Sequence, residues 1–267
     1  MRRYLPIFLL FLLLPSLMAA CNAVSPGTAP TPTPIVFQPV LGRGMSFLAR
    51  QFDEQAGLLR ESPAVPDHHW LVPDNQLALW VMELAIAADL EAEIAAGLDA
   101  HPGYTHGLIE ALHGTAVAWP PSAPRVQEIA PSVWVEQYSG GDPAVDWQDD
   151  SSLLLYGAIN AIDAGQREEA EHLYNAVLRQ FDGIGFIGSA SADQYATGTL
   201  ALALLTAERL RQPVEQAIRD QLLALQQADG GFSPVYTAEG PAGSSDTRTT
   251  ALVLFTLYSL RQEASGR

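Results

Sequence analysis

The sequence predicts an all-α chain: an incomplete α/α-toroid of about four outer/inner helical hairpins, with a small β-hairpin in its longest link. Three observations predict it. A helix–turn–helix unit recurs, its helices alternate between amphipathic and almost wholly apolar, and its links alternate between short and long. The turn is spelled three times, as Gln51-Phe52-Asp53-Glu54-Gln55-Ala56-Gly57-Leu58, Gln180-Phe181-Asp182-Gly183-Ile184-Gly185-Phe186 and Gln226-Gln227-Ala228-Asp229-Gly230-Gly231-Phe232.

Residues 1–20 stand apart from the fold. Arg2 and Arg3 precede an apolar run from Tyr4 to Leu14, and small residues follow, which is the layout of a secretory signal. Leu17-Met18-Ala19-Ala20-Cys21 resembles the bacterial lipobox, which implies cleavage before Cys21 and lipidation of that residue, the only cysteine in the chain. Residues 21–40 are rich in Pro, Thr, Ser and Ala and read as a semi-extended spacer. The expected address is extracytoplasmic, with the protein lipid-anchored to a bacterial cell membrane. Residues 41–262 then form the toroid domain and 263–267 a short tail.

Within the domain, residues 41–52, 103–114, 166–181 and 213–227 carry one apolar stripe and one wet face, as outer helices do. Residues 75–95, 151–163, 194–210 and 247–260 are apolar nearly all round, as in Thr199-Leu200-Ala201-Leu202-Ala203-Leu204-Leu205, and belong inside. Inner-to-outer links are short. Outer-to-inner links (53–74, 115–150, 182–193 and 228–246) are long, so one end of the ring carries the loop mass. In the longest link, Val126 to Ala130 and Val133 to Tyr138 alternate like two strands around Pro131-Ser132.

Ala217 to Phe232, followed by Ser245-Asp246-Thr247-Arg248-Thr249-Thr250-Ala251-Leu252, resembles a repeat of the terpenoid cyclase and protein prenyltransferase α/α-toroid superfamily. The resemblance implies architecture alone. The zinc ligands of prenyltransferases would need a cysteine, and Cys21 is assigned to the anchor. Asp146-Trp147-Gln148-Asp149-Asp150 has one residue too many for the cyclase Asp-x-Asp-Asp, and no Cys-Gly-Glu-Gln thioester is present.

Charge narrows the partners. The 267-residue chain has a formal charge of −16, with 14 Lys+Arg that are all Arg against 30 Asp+Glu. Loss of Arg2 and Arg3 with the signal takes −16 to −18. Such a surface repels phosphate backbones, so nucleic acid is not an expected partner. No cofactor and no metal are expected either, because His106 and His113 lie seven apart rather than at i, i+4.

Function is expected at the long-loop mouth, where four of the five tryptophans fall. The candidate ligand-binding residues are His69, Trp70, Asp74, Trp134, Trp147, Tyr195 and Arg248. Aromatic faces beside hydrogen-bonding acids suit sugar rings. The acids that open inner helices, Asp149, Asp150, Asp193 and Asp246, read either as N-caps or as an acid/base pair. Three functions follow: an envelope lipoprotein binding a ligand such as a glycan, a carbohydrate-active hydrolase or lyase, and a protein-interaction scaffold. A binding role is favoured over an enzyme.

Overall fold

The apolar run from Leu200 to Leu205 forms the middle of a helix buried on almost every side, and the other long helices pack around it. The computed structural model describes residues 37–140, 143, 146–187, 193–213 and 215–264. In chain order the elements are α1 (Gln38–Gln51), β1 (Phe52–Asp53), β2 (Leu58–Leu59), β3 (His69–Val72), α2 (Asp74–Ala85), α3 (Ala88–Asp99), α4 (Ile109–Leu112), β4 (Arg125–Ala130), β5 (Val133–Gln137), α5 (Ser151–Asp163), α6 (Arg167–Leu178), β6 (Tyr195–Ala196), α7 (Thr197–Leu210), α8 (Gln216–Ala224), β7 (Val235–Thr237), β8 (Gly240–Ala242) and α9 (Thr247–Ala264). The signal, Cys21 and the spacer through residue 36 lie outside the described residues, as does the end of the tail. At the domain edges, α1 begins inside the stretch read as spacer, and α9 runs past residue 262.

Helix α9 packs between α2 and α7, and α7 packs between α9 and α5, while α1, α3, α6 and α8 lie against this row. The reversals that bring α3 and α6 back share one device. Ile86 (φ 59) and Gly165 (φ 75) take the left-handed conformation after α2 and α5. The next N–H then reaches back five residues, Ala87 to Met82 O at 3.0 Å and Gln166 to Ala161 O at 2.7 Å. Arg211 (φ 54) does the same after α7, with Gln212 N–H to Ala207 O at 2.9 Å.

This corrects the reading of 75–95 as a single helix. The chain turns at Ile86, which stays exposed, so that α3 folds back along α2 and buries Ile94. The outer helix read at 103–114 shrinks to α4. Gly103 (φ 92) and Gly107 (φ 89) break it, and a Cβ on Gly107 would lie 2.2 Å from Tyr138 O. The helix starts only at Ile109, and the Glu110 carboxylate reaches back to accept from His106 N–H and Gly107 N–H at 2.8 and 2.6 Å.

The larger correction is to fold class. The described residues are 50% helix and 16% strand in three sheets, two antiparallel and one mixed, so the chain is mixed α and β and not an all-α toroid. The strands sit in the long links or at their edges, and β6 takes the first residues of the stretch read as the helix 194–210, so α7 begins only at Thr197. β4 and β5 pair antiparallel where the alternation places a hairpin, and β3 joins β5 in parallel, with His69 opposite Val133 and Trp70 opposite Trp134. β6 pairs with β7 and β7 with β8, and β1 pairs with β2. The physical reason is that a long link must satisfy its own backbone groups. Here the links do so by pairing with one another, and outside β4 and β5 the strands are too short to show a two-residue period.

The repeated turn has a common cause in its aspartate. Asp53 accepts from Gln55 N–H (2.9 Å), Asp182 from Ile184 and Gly185 N–H (both 2.9 Å), and Asp229 from Gly231 N–H (3.0 Å). Phe186 and Phe232 after it are buried between elements. A Cβ on Gly185 would meet Tyr195 at 2.3 Å, and one on Gly231 would meet Ser245 at 2.6 Å, so glycine is required for close approach at both.

Candidate functional site

Three helices begin around one cavity. Pro73 and Leu77 enter it from the start of α2, Asp150, Ser152, Leu153 and Tyr156 from α5, and Arg248 and Leu252 from α9. The link before α4 supplies His106 and Leu108, the 115–150 link supplies Pro121, Ser122, Tyr138 and Trp147, and the enclosed volume is about 290 Å³. Each helix starts where a long link ends, which is why residues from distant parts of the sequence meet here.

Arg248 is the organising side chain. Its Nε donates to Asp74 Oδ1 at 3.1 Å, and its Nη1 pairs with Glu136 Oε2 at 2.6 Å. Its guanidinium carbon lies 5.7 Å over the Trp70 ring. Trp70 is itself anchored by donating Nε1–H to Glu61 at 2.8 Å. Two carboxylates from separate elements and one aromatic face therefore fix the planar fork.

The acids differ in state. Burial pushes the Asp74 carboxyl up from 3.8 to about 7 against the Arg248 cation. Burial would raise Glu136 as well, but the His106 imidazole at 3.9 Å and Arg248 at 2.6 Å hold it down at about 2. The guanidinium is closer to Glu136 than to Asp74, so Glu136 stays charged and Asp74 is the one that yields. Burial lowers His106. Its Nδ1 accepts Ile109 N–H at 3.2 Å, which assigns the ring proton to Nε2, facing Glu136. Burial also raises the Tyr138 and Tyr156 phenols, which stay neutral.

The sequence candidates divide. Arg248, Trp147 and Asp150 line the cavity, and Asp74 and Trp70 hold Arg248 from outside it. Trp134 packs by Trp70 and His68, with ring centroids 6.1 and 5.8 Å apart. His69 is buried against Ser132 O and Asp53, tying β3 to its sheet. Tyr195 is remote from the cavity, covering Gly185 and donating its hydroxyl to Asp182 at 2.6 Å. Asp150 caps α5 by accepting Ser152 and Leu153 N–H at 2.8 and 2.9 Å, and Asp246 caps α9 at Thr249 N–H, 2.6 Å. Capping alone would lower Asp246, yet burial outweighs it and raises the group to about 6. Asp149 and Asp193 are exposed and do not line the cavity. No two of these four acids face one another across it.

Sequence reasoning missed Glu136, Tyr138 and Tyr156, and it set His106 aside as a metal ligand in favour of a surface or packed histidine. The one available signal was an acid inside the alternating strand, where Val135 and Glu136 are buried in succession. His113 shares no site with His106 and stacks on Trp80 at 4.6 Å. Among the described residues no cluster of His, Cys, Asp or Glu is placed to hold a metal ion, and no helix is long and apolar enough to cross a membrane.

The chain matches no protein-family profile, no curated protein and no solved structure.

Proposed function

We propose that this domain binds a neutral, hydroxyl-bearing ligand, a sugar unit, in the cavity of about 290 Å³, and presents it from a lipid-anchored spacer. The observation that carries the reading is the held Arg248 on the cavity wall. Its charge is balanced by Glu136, and Asp74 adds part of a further negative charge near neutrality. A guanidinium so compensated offers oriented donors without a net positive field, which favours neutral oxygen acceptors over anions. Opposite charge preferences are served by Asp150, whose Oδ2 is not engaged by the cap. The rings of Tyr138, Tyr156 and Trp147 and the side chains of Leu108 and Leu252 provide the apolar faces a pyranose needs.

Isothermal titration against a panel of neutral saccharides tests this. Arg248→Met should weaken binding at least tenfold, the scale of one lost charge-assisted hydrogen bond, about 1.5–3 kcal/mol. Unchanged affinity in a folded Arg248→Met protein refutes the reading, and so does a parent that binds small carboxylates but no sugar. The anchor rests on Leu17-Met18-Ala19-Ala20-Cys21. Cys21→Ala should move the protein from the membrane fraction to the soluble one, because stable attachment needs more than one acyl chain. Retention unchanged by that substitution removes the anchor from the proposal.

A further inference from the structure

We infer that the ligand is a chain rather than a single unit, and that a groove between Trp119 and the start of α6 holds the units that follow the one in the cavity. The inference rests on the sugar reading of the cavity. Trp147 lines both spaces, so the cavity and the groove adjoin at its ring. The groove is open and larger, about 1100 Å³ against about 290 Å³, which is room for several further rings of the kind that fills the cavity.

Its floor is built rather than incidental. Trp119 and Trp147 meet edge to face, 5.4 Å apart at 84°, so two aromatic surfaces of different orientation flank the passage. Trp119 lies on the backbone of α5 at Gly157, where a Cβ would come within 2.7 Å of its Cζ2. The segment leading to it is clamped by Asn160, which accepts Val117 N–H at 2.7 Å and donates to Val117 O at 3.2 Å. The Trp119 Nε1–H has no acceptor among the described residues. Along the opposite wall, Gln166, Arg167, Glu168, Glu169 and His172 are exposed and mix donors with acceptors, Arg167 being paired with Glu171 at 2.9 Å.

The chemistry points to a neutral oligosaccharide. No strand edge lines the groove, so a peptide backbone would find nothing to pair with. With Arg167 paired to Glu171, the Glu168 and Glu169 carboxylates leave the wall net negative, which repels polyanions. Hydroxyls spaced along a chain of rings, each ring with an apolar face, fit an aromatic floor and a mixed polar wall.

The test is titration of the intact chain with neutral gluco-, xylo- and N-acetylglucosamine oligomers of increasing length, starting from the monosaccharide. The series that binds should tighten roughly tenfold as the chain extends past the cavity, about the worth of one added aromatic contact. Trp119→Ala should abolish that gain while monosaccharide binding persists, weakened at most through the lost packing on Trp147. Glu168→Gln/Glu169→Gln, two exposed changes that leave the fold alone, should alter the affinity of long oligomers only. In the parent, the Trp119 indole N–H resonance should shift with long oligomers and not with the monosaccharide. Binding that ignores length, or a length dependence untouched by both variants, overturns the groove and leaves the cavity reading standing. Failure of every series at every length overturns both.

Discussion

Asp74 offers the sharpest check on how the cluster works. It is 1% exposed, accepts from Arg248 Nε at 3.1 Å, and has its carboxyl raised from 3.8 to about 7, first by burial. A group that holds its proton more tightly when folded favours the fold only while protonated. That contribution is complete below 3.8 and is lost as the pH climbs through about 7. At ~1.4 kcal/mol per pH unit, the whole loss is about 4 kcal/mol. Roughly 3 kcal/mol of it falls between about pH 5 and pH 8. Asp74→Asn removes the titration while its amide oxygen still accepts from Arg248. Urea unfolding of parent and variant across that range should therefore show the variant gaining about 3 kcal/mol relative to the parent, or roughly 6–12 °C in Tm for a domain of this size. Asp246 titrates in the same sense in both proteins, and its charge is among the causes that raise Asp74, so the difference between them reads Asp74 together with that coupling. Parallel pH curves would refute the reasoning, because they would mean that Asp74 is ionised throughout and the Arg248 cation outweighs burial.

Two further outcomes test the packing. Phe232 is fully buried after the third turn, and Phe232→Ala should cost about 3–5 kcal/mol in chemical denaturation; a change below about 1 kcal/mol would place the ring elsewhere. Gly97→Ala should also destabilise, by about 1–3 kcal/mol, although alanine is the better helix former, because its Cβ would stand 2.1 Å from Gly57 O. A higher melting temperature for that variant would show that α3 does not pack against the first turn as described.

Much of the helical skeleton was legible because its causes are local. The apolar runs of α7 and α9 call for burial wherever they go, and the stripes of α6 and α8 call for one wet face. The three turns were readable because an aspartate two residues before an N–H closes its own loop, whatever packs on it. The break at Ile86 was not, since a left-handed residue at a helix end is announced by glycine and here is isoleucine.

What the sequence by itself determined was thus where most of the long helices run, though not the break within 75–95 or the loss of helix over 103–108, where the three turns close, and that acids and tryptophans cluster in the long links. Only the tertiary structure decided that those links pair into sheets, because β3 finds its partner some sixty residues away and its four residues carry no period of their own. The site follows the same rule. Arg248 was visible beside a cap, but Glu136 reaches it from another link, held in turn by His106, and Asp74 yields its charge because burial outweighs the neighbouring cation. Local patterning fixes segments over a few residues, whereas burial and Coulomb interactions depend on which distant segments end up within a few ångströms.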